Sequence, residues 1–529
     1  MTKARVAATA AGLLASAGLA YYAYMRRKGQ AKCPSDTITI VGAGLIGSLL
    51  AILLREKGYE VVLYERYGDI RKIPSVGRSI NLSCTVRGLR ALDILPRKVK
   101  ADLLKLGSHV TGRIIHTNGE SMFQRYGKDD TEYNHSISRY ELNRFLLQRA
   151  EEAGATLRFG HQIVDIDLAA GNFPRLRFEV ERGEGVAPEP LTVDCTGPVI
   201  AADGGGSGVR RALMRIGAVE ATEEKLDSGY KEMLFPKGSA EKAGLARHGL
   251  HIWPRGTHFL MALVNLDGSF TGTIYMKNEK SDGGEQSFAA VEAGGVKAAE
   301  RLLSEHYADA LPALGGVQKA AKQLASNPRG LLGTVRVKQW AHGGKLCLVG
   351  DAAHAIVPFF GQGMNCGFED CREMVTQLSE HAPAGAPESA KDFATAFANV
   401  EARRRPNSNA IADMALENYV EMMSHTADPT FRKAKAVENA LENSPLGSRF
   451  RSRYAMVCYG GAGNVTYSAA QQLGRVQWEI VCELAKGVSS PELAAKELDL
   501  KVAEKLMDER LLPLQRELQV DLKTVSHHE

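Results

Sequence analysis

Three glycines that follow a short apolar run have the types and spacing of a phosphate-binding turn. Gly42, Gly44 and Gly47 stand at GxGxxG spacing. The β-branched run Thr37 to Val41 precedes them and the helix-like run Leu45 to Lys57 follows. In such a turn the first glycine makes the bend, the second lets a pyrophosphate approach the backbone, and the third packs helix against strand. The amide groups at the helix N-terminus also favour a phosphate. The pattern predicts a dinucleotide site.

An acidic residue ends the next predicted strand. The run Glu60 to Tyr64 is followed by Glu65, which stands about twenty residues beyond the glycines. A carboxylate at this place accepts hydrogen bonds from the hydroxyls of a ribose. Strand, glycine turn, helix, strand and acid together favour dinucleotide binding over a purely structural turn.

Two further strand ends carry an acid beside a glycine. One is Asp203-Gly204 in "VIAADGGGSGVRRAL", and the other is Gly350-Asp351, which follows the apolar run Leu346 to Val349. An extended dinucleotide has two phosphates and two sugar parts, so separate corners of this kind suit its far end. We expect Asp351 to accept a hydrogen bond from a ribitol or ribose hydroxyl.

A glycine-spaced stretch after the last corner predicts a helix N-terminus. Gly361 and Gly363 are followed by Met364 and Asn365, whose amide groups would face an anionic part of the cofactor. A reduced flavin carries negative charge on its ring, and a helix N-terminus beneath that ring stabilises it.

Length and composition limit the class of protein. A chain of 529 residues with 44% hydrophobic and 24% charged residues is globular and should divide into two or three units. The net charge of +5 is mild, and no basic stripe interleaved with aromatic residues is present, so nucleic acid is not an expected partner. The eight cysteines have neither a paired motif nor zinc-finger spacing, so we expect free thiols and no metal site.

The N-terminus is a separate element. The run Val6 to Met25 has no charged residue and is bracketed by basic residues on both sides. At a rise of about 1.5 Å per residue, such a helix just spans a bilayer core of about 30 Å. A membrane anchor with the body in the cytosol, a cleaved secretory signal and an organellar presequence are the three interpretations, and we expect the anchor.

The three motifs, in the order GxGxxG, Asp-Gly and Gly-Asp, resemble those of the single-component flavin-dependent aromatic hydroxylases of the p-hydroxybenzoate hydroxylase fold. The stretches "GRSINLSCTVRGLRAL", "SISRYELN", "LHIWPRGTHFLMALVNLDGSFTGTIYM" and "GDAAHAIVPFFGQGMNCGFEDC" resemble the kynurenine 3-monooxygenase family within that group. The resemblance runs, with gaps, from Ile38 to Glu479.

This resemblance implies FAD as the bound cofactor and NADPH as co-substrate. It places Arg139 beside the flavin, in addition to the glycines and acids above. It also implies a cluster that holds the amino-acid carboxylate of L-kynurenine. The residues at the matching positions are Arg113, Tyr126, Asn418 and Tyr454. A planar guanidinium with hydroxyl and amide donors suits a carboxylate.

The implied reaction is hydroxylation of L-kynurenine to 3-hydroxy-L-kynurenine with NADPH and O2, through a flavin hydroperoxide. No protein residue is expected to act as the catalytic base, because the amino group of the substrate activates its own ring. The family location also implies the outer mitochondrial membrane for the anchored chain. Two other hypotheses stay open: a flavin hydroxylase for a different aromatic substrate, and a membrane-tethered flavin-binding scaffold without activity.

The implied architecture is α/β, with a discontinuous Rossmann-like FAD domain, an interleaved antiparallel-sheet substrate domain and a C-terminal helical region. The predicted division of the chain is residues 1–33 for the targeting segment, 36–110, 135–215 and 325–400 for the FAD domain, 111–134 and 216–324 for the substrate domain, and 401–529 for the helical region.

Overall fold

A computed structural model describes residues 37–72, 80–117, 119–183, 185–279, 286–423, 428–460 and 465–525. The N-terminal segment that the sequence predicts as a membrane anchor lies outside these residues. Within the described part of the chain, no helix is both long and apolar enough to cross a bilayer.

The strands form four sheets. In chain order they are β1 (Thr37–Val41), β2 (Glu60–Tyr64), β3 (Asn81–Cys84), β4 (Gly107–Val110), β5 (Gly112–Thr117), β6 (Glu120–Arg125), β7 (Asn134–Ser138), β8 (Thr156–Arg158), β9 (His161–Asp167), β10 (Arg175–Val180), β11 (Glu189–Asp194), β12 (Val199–Ala201), β13 (Ala221–Phe235), β14 (Gly249–Pro254), β15 (Phe259–Val264), β16 (Phe270–Lys277), β17 (Gly330–Val337), β18 (Ala341–His342) and β19 (Leu346–Leu348).

The helices surround these sheets and build the C-terminal part of the chain. They are α1 (Leu45–Glu56), α2 (Val86–Leu89), α3 (Arg97–Leu104), α4 (Arg139–Glu152), α5 (Gly208–Arg215), α6 (Lys237–Lys242), α7 (Phe288–His306), α8 (Leu311–Leu314), α9 (Val317–Ser326), α10 (Asp351–His354), α11 (Gly363–His381), α12 (Phe393–Met423), α13 (Pro429–Glu442), α14 (Arg453–Tyr459), α15 (Tyr467–Leu484), α16 (Ala494–Glu497), α17 (Leu500–Leu506) and α18 (Leu512–Glu517).

A six-stranded sheet carries the three glycine and acid corners. Its order is β18-β19-β12-β1-β2-β8, and all pairs except β18 with β19 are parallel. The core strands are buried on both faces, as expected for a parallel sheet covered by helices. Because the carboxyl ends of parallel strands meet at one edge, the turns after β1, β12 and β19 lie side by side. The predicted Rossmann-like arrangement is confirmed.

A seven-stranded, mostly antiparallel sheet forms a second unit, in the order β17-β13-β16-β15-β14-β5-β6. The predicted antiparallel runs between Leu250 and Met276 are its strands β14, β15 and β16. The strand β5, which carries Arg113, lies next to β14 in parallel register. The strand β17 belongs to this sheet through β13, although the sequence division put residues 330–337 in the FAD domain.

Two apolar cores hold these layers. One lies around the six-stranded sheet and includes Trp340, and the other lies between the seven-stranded sheet and the C-terminal helices and includes Trp253. The helical region predicted from residue 401 is confirmed, but its first helix, α12, already begins at Phe393. This long helix passes from the edge of the six-stranded sheet, where Trp340 N and Ala341 N donate to Glu401, to the second core.

Candidate active site

The three predicted glycines have different surroundings in the turn after β1. A Cβ on Gly42, which has φ of 103°, would lie 2.5 Å from Ala202 O. A Cβ on Gly47 would lie 1.9 Å from Gly42 O, so this glycine is required for packing of α1 against the turn. A Cβ on Gly44 would meet no atom within 4 Å. Gly44 therefore borders open space, as the residue beside a bound pyrophosphate should.

The acid after the second strand lies at the same turn. Glu65 Oε2 accepts a hydrogen bond of 2.7 Å from Ala43 N, and its Oε1 accepts one of 3.0 Å from Tyr67 N. These bonds hold the carboxylate beside the glycines with lone pairs left for a ribose hydroxyl.

Asp203 lies beside the first glycine but is engaged within the chain. Its Oδ1 accepts from Ser207 Oγ at 2.6 Å, and its Oδ2 accepts from Val209 N at 3.1 Å. Burial raises the pKa of this carboxyl group, and the bonds from Ser207 and Val209 oppose that rise. The carboxylate thus holds the start of α5 against the glycine turn, which is a supporting role.

Asp351 opens α10 and its side chain is exposed. The preceding Gly350 has φ of 58° and donates its N–H to Asp370 Oδ2 at 2.9 Å. The same carboxylate contacts His354 Nε2 at 2.5 Å and Arg404 Nε at 2.7 Å. Burial alone would raise the pKa of Asp370, but the cations His354 and Arg404 outweigh burial and lower it. Asp370 thus fixes the corner that presents Asp351.

Sequence reasoning assigned no role to Asp370. The structure places His354 against the Trp340 ring, with ring centroids 5.0 Å apart, while it contacts Asp370. The contact between Asp370 and Arg404 joins α11 to α12 over 34 residues, and no local pattern in the sequence indicates such a pair.

At the start of α11 the backbone amides lack an acceptor within the helix, whereas the side chain of Asn365 is hydrogen-bonded. The first amides of a helix, here those of Gly363, Met364 and Asn365, have no acceptor within the helix. The side chain of Asn365 accepts from Thr85 N at 2.9 Å and donates to Ser83 O and Gly361 O at 2.8 and 2.9 Å. Only the backbone of Asn365 is therefore available to a ligand.

Arg139 is the first residue of α4 and is exposed. Four residues later, on the same helix face, Asn143 donates to Ala43 O at 3.2 Å. Arg139 is thus on the face of α4 that meets the glycine turn. Open space at Gly44, acids at two strand ends and free helix amides together fit an extended, anionic dinucleotide such as FAD.

A cavity of about 930 Å³ lies between the seven-stranded sheet and the C-terminal helices. All four predicted substrate residues line it: Arg113, Tyr126, Asn418 and Tyr454. They come from β5, the residue just after β6, α12 and α14, so the fold brings together positions that lie far apart in the chain.

Arg113 is the cation of this cavity that lies beside the two tyrosines, among several basic residues that line it. Its guanidinium carbon lies 5.1 Å from the centre of the Tyr454 ring and 6.0 Å from that of Tyr126. Its nearest carboxylate is Glu421 Oε1 at 3.7 Å, and both side chains are largely buried, with 11% and 13% exposed. The Nε atom is buried and has no hydrogen-bond partner among the described residues. A buried guanidinium with an unused donor is suited to an incoming anion.

The two tyrosines form a stacked pair, with ring centroids 4.6 Å apart and an interplanar angle of 19°. Asn134 Nδ2 donates to the Tyr454 hydroxyl at 3.0 Å. Burial raises the pKa of both tyrosines, so both hydroxyls stay protonated near neutral pH and can donate to an anion.

Asn418 lines the cavity and is also bonded to the backbone of the cavity wall. Its Nδ2 donates to Phe359 O at 2.6 Å, which holds the segment Pro358–Phe360 at the wall of the cavity. The Phe360 ring lies parallel to that of Tyr454, with centroids 5.6 Å apart. Sequence reasoning did not single out Glu421, although it follows Asn418 by three residues and so shares its helix face.

Comparisons with known proteins identify the family of the chain. Residues 35–398 match the family model described as FAD binding domain. The kynurenine 3-monooxygenase of Myxococcus xanthus is 39% identical over 485 residues, which is 91% of this chain and 97% of that protein. The kynurenine 3-monooxygenase of Stenotrophomonas maltophilia is 40% identical over 427 residues, 80% of this chain and 88% of that protein.

Solved structures with low sequence identity show the same fold. The tetrameric form of 2-methyl-3-hydroxypyridine-5-carboxylic acid oxygenase aligns with a TM-score of 0.57 at 18% identity, over 78% of this chain and 97% of that one. PqsL of P. aeruginosa, in complex with 2-aminobenzoylacetate, aligns with a TM-score of 0.56 at 17% identity, over 73% of this chain and 98% of that one.

The predicted location in the outer mitochondrial membrane is wrong. The relatives named above come from bacteria, which have no mitochondria. The anchor on which that prediction depended, residues 6–25, lies outside the described residues.

Proposed function

The chain belongs to the kynurenine 3-monooxygenase family of FAD-dependent hydroxylases, and we propose that its cavity binds L-kynurenine by the amino-acid end, with Arg113 as the carboxylate anchor. The activity is hydroxylation of L-kynurenine to 3-hydroxy-L-kynurenine. The chemistry that FAD would supply when bound is acceptance of a hydride from NADPH and activation of O2, for insertion of one oxygen atom into the aromatic ring with release of the other as water. The residues of the chain bind, orient and shield the substrate.

The observation that carries this proposal is a buried cation next to a buried anion in the cavity. The distance of 3.7 Å between Arg113 and Glu421 is longer than that of a direct charge-assisted hydrogen bond, which is about 2.7–2.9 Å. The α-carboxylate of an amino acid would pair with Arg113, and its α-ammonium would face Glu421. A zwitterion therefore matches this pair of charges.

The tyrosine pair completes the carboxylate site. The protonated hydroxyls of Tyr126 and Tyr454 add two donors to the guanidinium, so the carboxylate oxygens of the substrate have enough partners to offset the loss of water. The stacked rings also cover the apolar stem of the ligand.

The aromatic end of the substrate would lie against the wall Pro358–Phe360. Phe359 and Phe360 are both 6% exposed, and Asn418 holds this wall through Phe359 O. An apolar wall excludes water from the place where oxygen is transferred, and it fixes the ring relative to the cofactor.

The cofactor residues form a second part of the proposal. Gly42, Gly44 and Gly47 with the start of α1 would hold the pyrophosphate, Glu65 the adenosine ribose, and Asp351 the ribityl chain. Arg139 and the amides of Gly363, Met364 and Asn365 would lie next to the flavin. Asp203 would support the glycine turn, because both of its oxygens are engaged within the chain.

This assignment also supports a division of the chain. The FAD unit would comprise residues 36–110, 135–215 and 338–392, the substrate unit residues 111–134 and 216–337, and the helical unit the residues from 393 onward. These limits differ from the sequence-based ones in two places. The strand β17 is assigned to the substrate unit because it belongs to the seven-stranded sheet, and the helical unit begins with α12.

The anchor can be tested with two ligands and two enzymes. The affinities of the FAD-loaded wild type and of Arg113→Ala would be compared for L-kynurenine and for kynuramine, its analogue without the carboxylate. Loss of charge-assisted hydrogen bonds, worth about 1.5–3 kcal/mol each, should weaken L-kynurenine binding to Arg113→Ala at least tenfold. Kynuramine binding should change little. Arg177→Ala, which removes an exposed guanidinium from β10, serves as the control.

Turnover completes the test. Wild type should show L-kynurenine-dependent NADPH oxidation matched by formation of 3-hydroxy-L-kynurenine. NADPH oxidation that ignores L-kynurenine and yields only hydrogen peroxide would contradict the substrate assignment. Equal losses of affinity for both ligands in Arg113→Ala would contradict the role of Arg113.

A further inference from the structure

A buried charged cluster lies behind the tyrosine pair. We call Glu132, Arg451 and Glu442 the carboxylate-arginine cluster. Arg451 Nη2 donates to Glu132 Oε1 and Oε2 at 2.8 and 2.7 Å, and Arg451 Nε lies 3.3 Å from Glu442 Oε1. The three residues are only 6%, 1% and 5% exposed, respectively. One guanidinium thus serves two carboxylates away from water.

Such a cluster is a poor source of stability. Removing two carboxylates and a guanidinium from water costs several kcal/mol per ion, and an apolar replacement of the same shape is often as stable. The best-attested use of buried charges is to define one arrangement of the segments that carry them. The role of the cluster therefore depends on which segments it joins.

The cluster joins the two segments that carry the tyrosines. Glu132 follows Tyr126 by six residues in the loop after β6, and Arg451 precedes Tyr454 by three residues at the start of α14. Lys128 N donates to Glu132 Oε2 at 2.9 Å, which fixes the loop just beyond Tyr126.

Glu442 holds the other side of the cluster. It is the last residue of α13, and its Oε1 accepts from Ser452 N at 3.3 Å. Ser452 is the N-cap of α14 and accepts from Ala455 N. A third link between the segments is the bond from Lys128 Nζ to Gly447 O at 3.0 Å. The cluster is therefore tied into the start of the helix that presents Tyr454.

Glu442 lines the cavity, whereas Glu132 and Arg451 are not among the residues that line it, so Arg451 has no direct contact with a ligand there. We propose that Arg451 is a positioning residue for substrate binding: through Glu132 and Glu442 it sets the placement of Tyr126 relative to Tyr454, and thereby the affinity for the carboxylate of an amino-acid substrate. This inference rests on the proposed function of the cavity. It assigns a role to a residue that never touches the substrate.

The experiment compares two ways of removing the cluster. Arg451→Met leaves two buried carboxylates without their cation and could unfold the chain. The triple variant Glu132→Gln, Arg451→Met, Glu442→Gln removes all three charges together, keeps the shapes of the two acids and replaces the guanidinium by an apolar chain. Glu442→Gln alone measures the direct effect of the one cluster residue that lines the cavity. Arg449→Met, two residues away and paired at the surface with Glu504, is the matched control. All are measured as FAD-loaded full-length chains.

The triple variant is expected to lose affinity for L-kynurenine but not for kynuramine, and to change KM but not kcat. The dissociation constant and KM for L-kynurenine should rise about tenfold or more, since displaced tyrosines lose charge-assisted bonds to the carboxylate. Kynuramine affinity, FAD content and kcat at saturating L-kynurenine should stay within about twofold. Arg449→Met should behave as wild type.

A triple variant that binds FAD and binds L-kynurenine as tightly as wild type would overturn the inference. A loss that is equal for L-kynurenine and kynuramine would also overturn it, because the effect would then not act through the carboxylate site. Failure of the proposed function is distinguishable, since Arg113→Ala would then leave L-kynurenine affinity unchanged in the wild-type background.

Discussion

Gly44 and Gly47 stand three residues apart in one motif, and the structure predicts opposite consequences for replacing them by alanine. Gly44 has φ of −70°, which alanine adopts without strain, and its new Cβ would meet no atom within 4 Å. The Cβ of Gly47→Ala would lie 1.9 Å from Gly42 O. The first change should therefore impair only the cofactor, and the second should impair the fold.

The size of each effect follows from these contacts. Gly44→Ala should stabilise the cofactor-free chain by about 0.4–1 kcal/mol through the unfolded state. For 529 residues at about 2.1 cal/mol/K each, 1 kcal/mol corresponds to a change in Tm of about 1 °C. Gly47→Ala should cost at least about 1–3 kcal/mol, the range for overpacked sites, and lower Tm accordingly. A methyl group in the space kept open at Gly44 should also cost about 1–3 kcal/mol when FAD binds, so FAD affinity should fall about 5-fold to 150-fold.

The assay is calorimetry of the cofactor-free chains, followed by FAD titration monitored by flavin fluorescence. Gly238→Ala is the control, because Gly238 also borders open space but lies in α6, in the other unit. Wild-type FAD affinity in Gly44→Ala, or a fall in its Tm as large as that of Gly47→Ala, would refute the reasoning.

Three further predictions concern buried polar groups. Burial raises the pKa of Glu442 to about 7 in the folded chain, compared with 4.5 for an ordinary glutamate. Between these two pH values the folded chain holds a proton that the unfolded chain has released. The free energy of unfolding therefore falls as the pH rises from 4.5 to 7. Glu442→Gln should lack this fall, and its unfolding free energy relative to wild type should change by about 3 kcal/mol between pH 4 and pH 8, measured by calorimetry. Asp370→Asn should weaken FAD binding by tenfold or more, because Gly350 and His354 lose a common anionic acceptor, as fluorescence titration would show. Asn418→Leu should release Phe359 O and raise the share of NADPH oxidised without product, which comparison of NADPH loss with 3-hydroxy-L-kynurenine formation would measure.

Local features of the fold could be predicted from the sequence. The first two strands, Thr37–Val41 and Glu60–Tyr64, have the bounds that alternation and glycine spacing predict, and α1 ends one residue earlier than predicted. These signals lie within about thirty residues, so one window contains both the pattern and its consequence.

Long-range pairs could not be predicted in this way. Arg451 meets Glu132 over 319 residues, and Asp370 meets Arg404 over 34, yet each of these residues by itself looks like an ordinary surface charge. The sequence also does not show that the side chains of Asn365 and Asp203 are already hydrogen-bonded within the chain. A motif indicates which residues approach a ligand, but only the surrounding contacts show whether the side chain or the backbone is free to bind it.

Both ends of α14, the helix that presents Tyr454, are held by buried side chains. At its start, α14 is held by the carboxylate-arginine cluster. At its end, the buried Arg87 donates to Val457 O at 2.6 Å and to Met456 O at 2.9 Å. The next residue after Arg87 is Gly88, where a Cβ would lie 2.4 Å from Asn365 Oδ1, at the helix start that we assign to the flavin. The segment Arg87-Gly88 thus packs against both the end of α14 and the start of α11, and we expect substrate affinity to depend on an intact cofactor site.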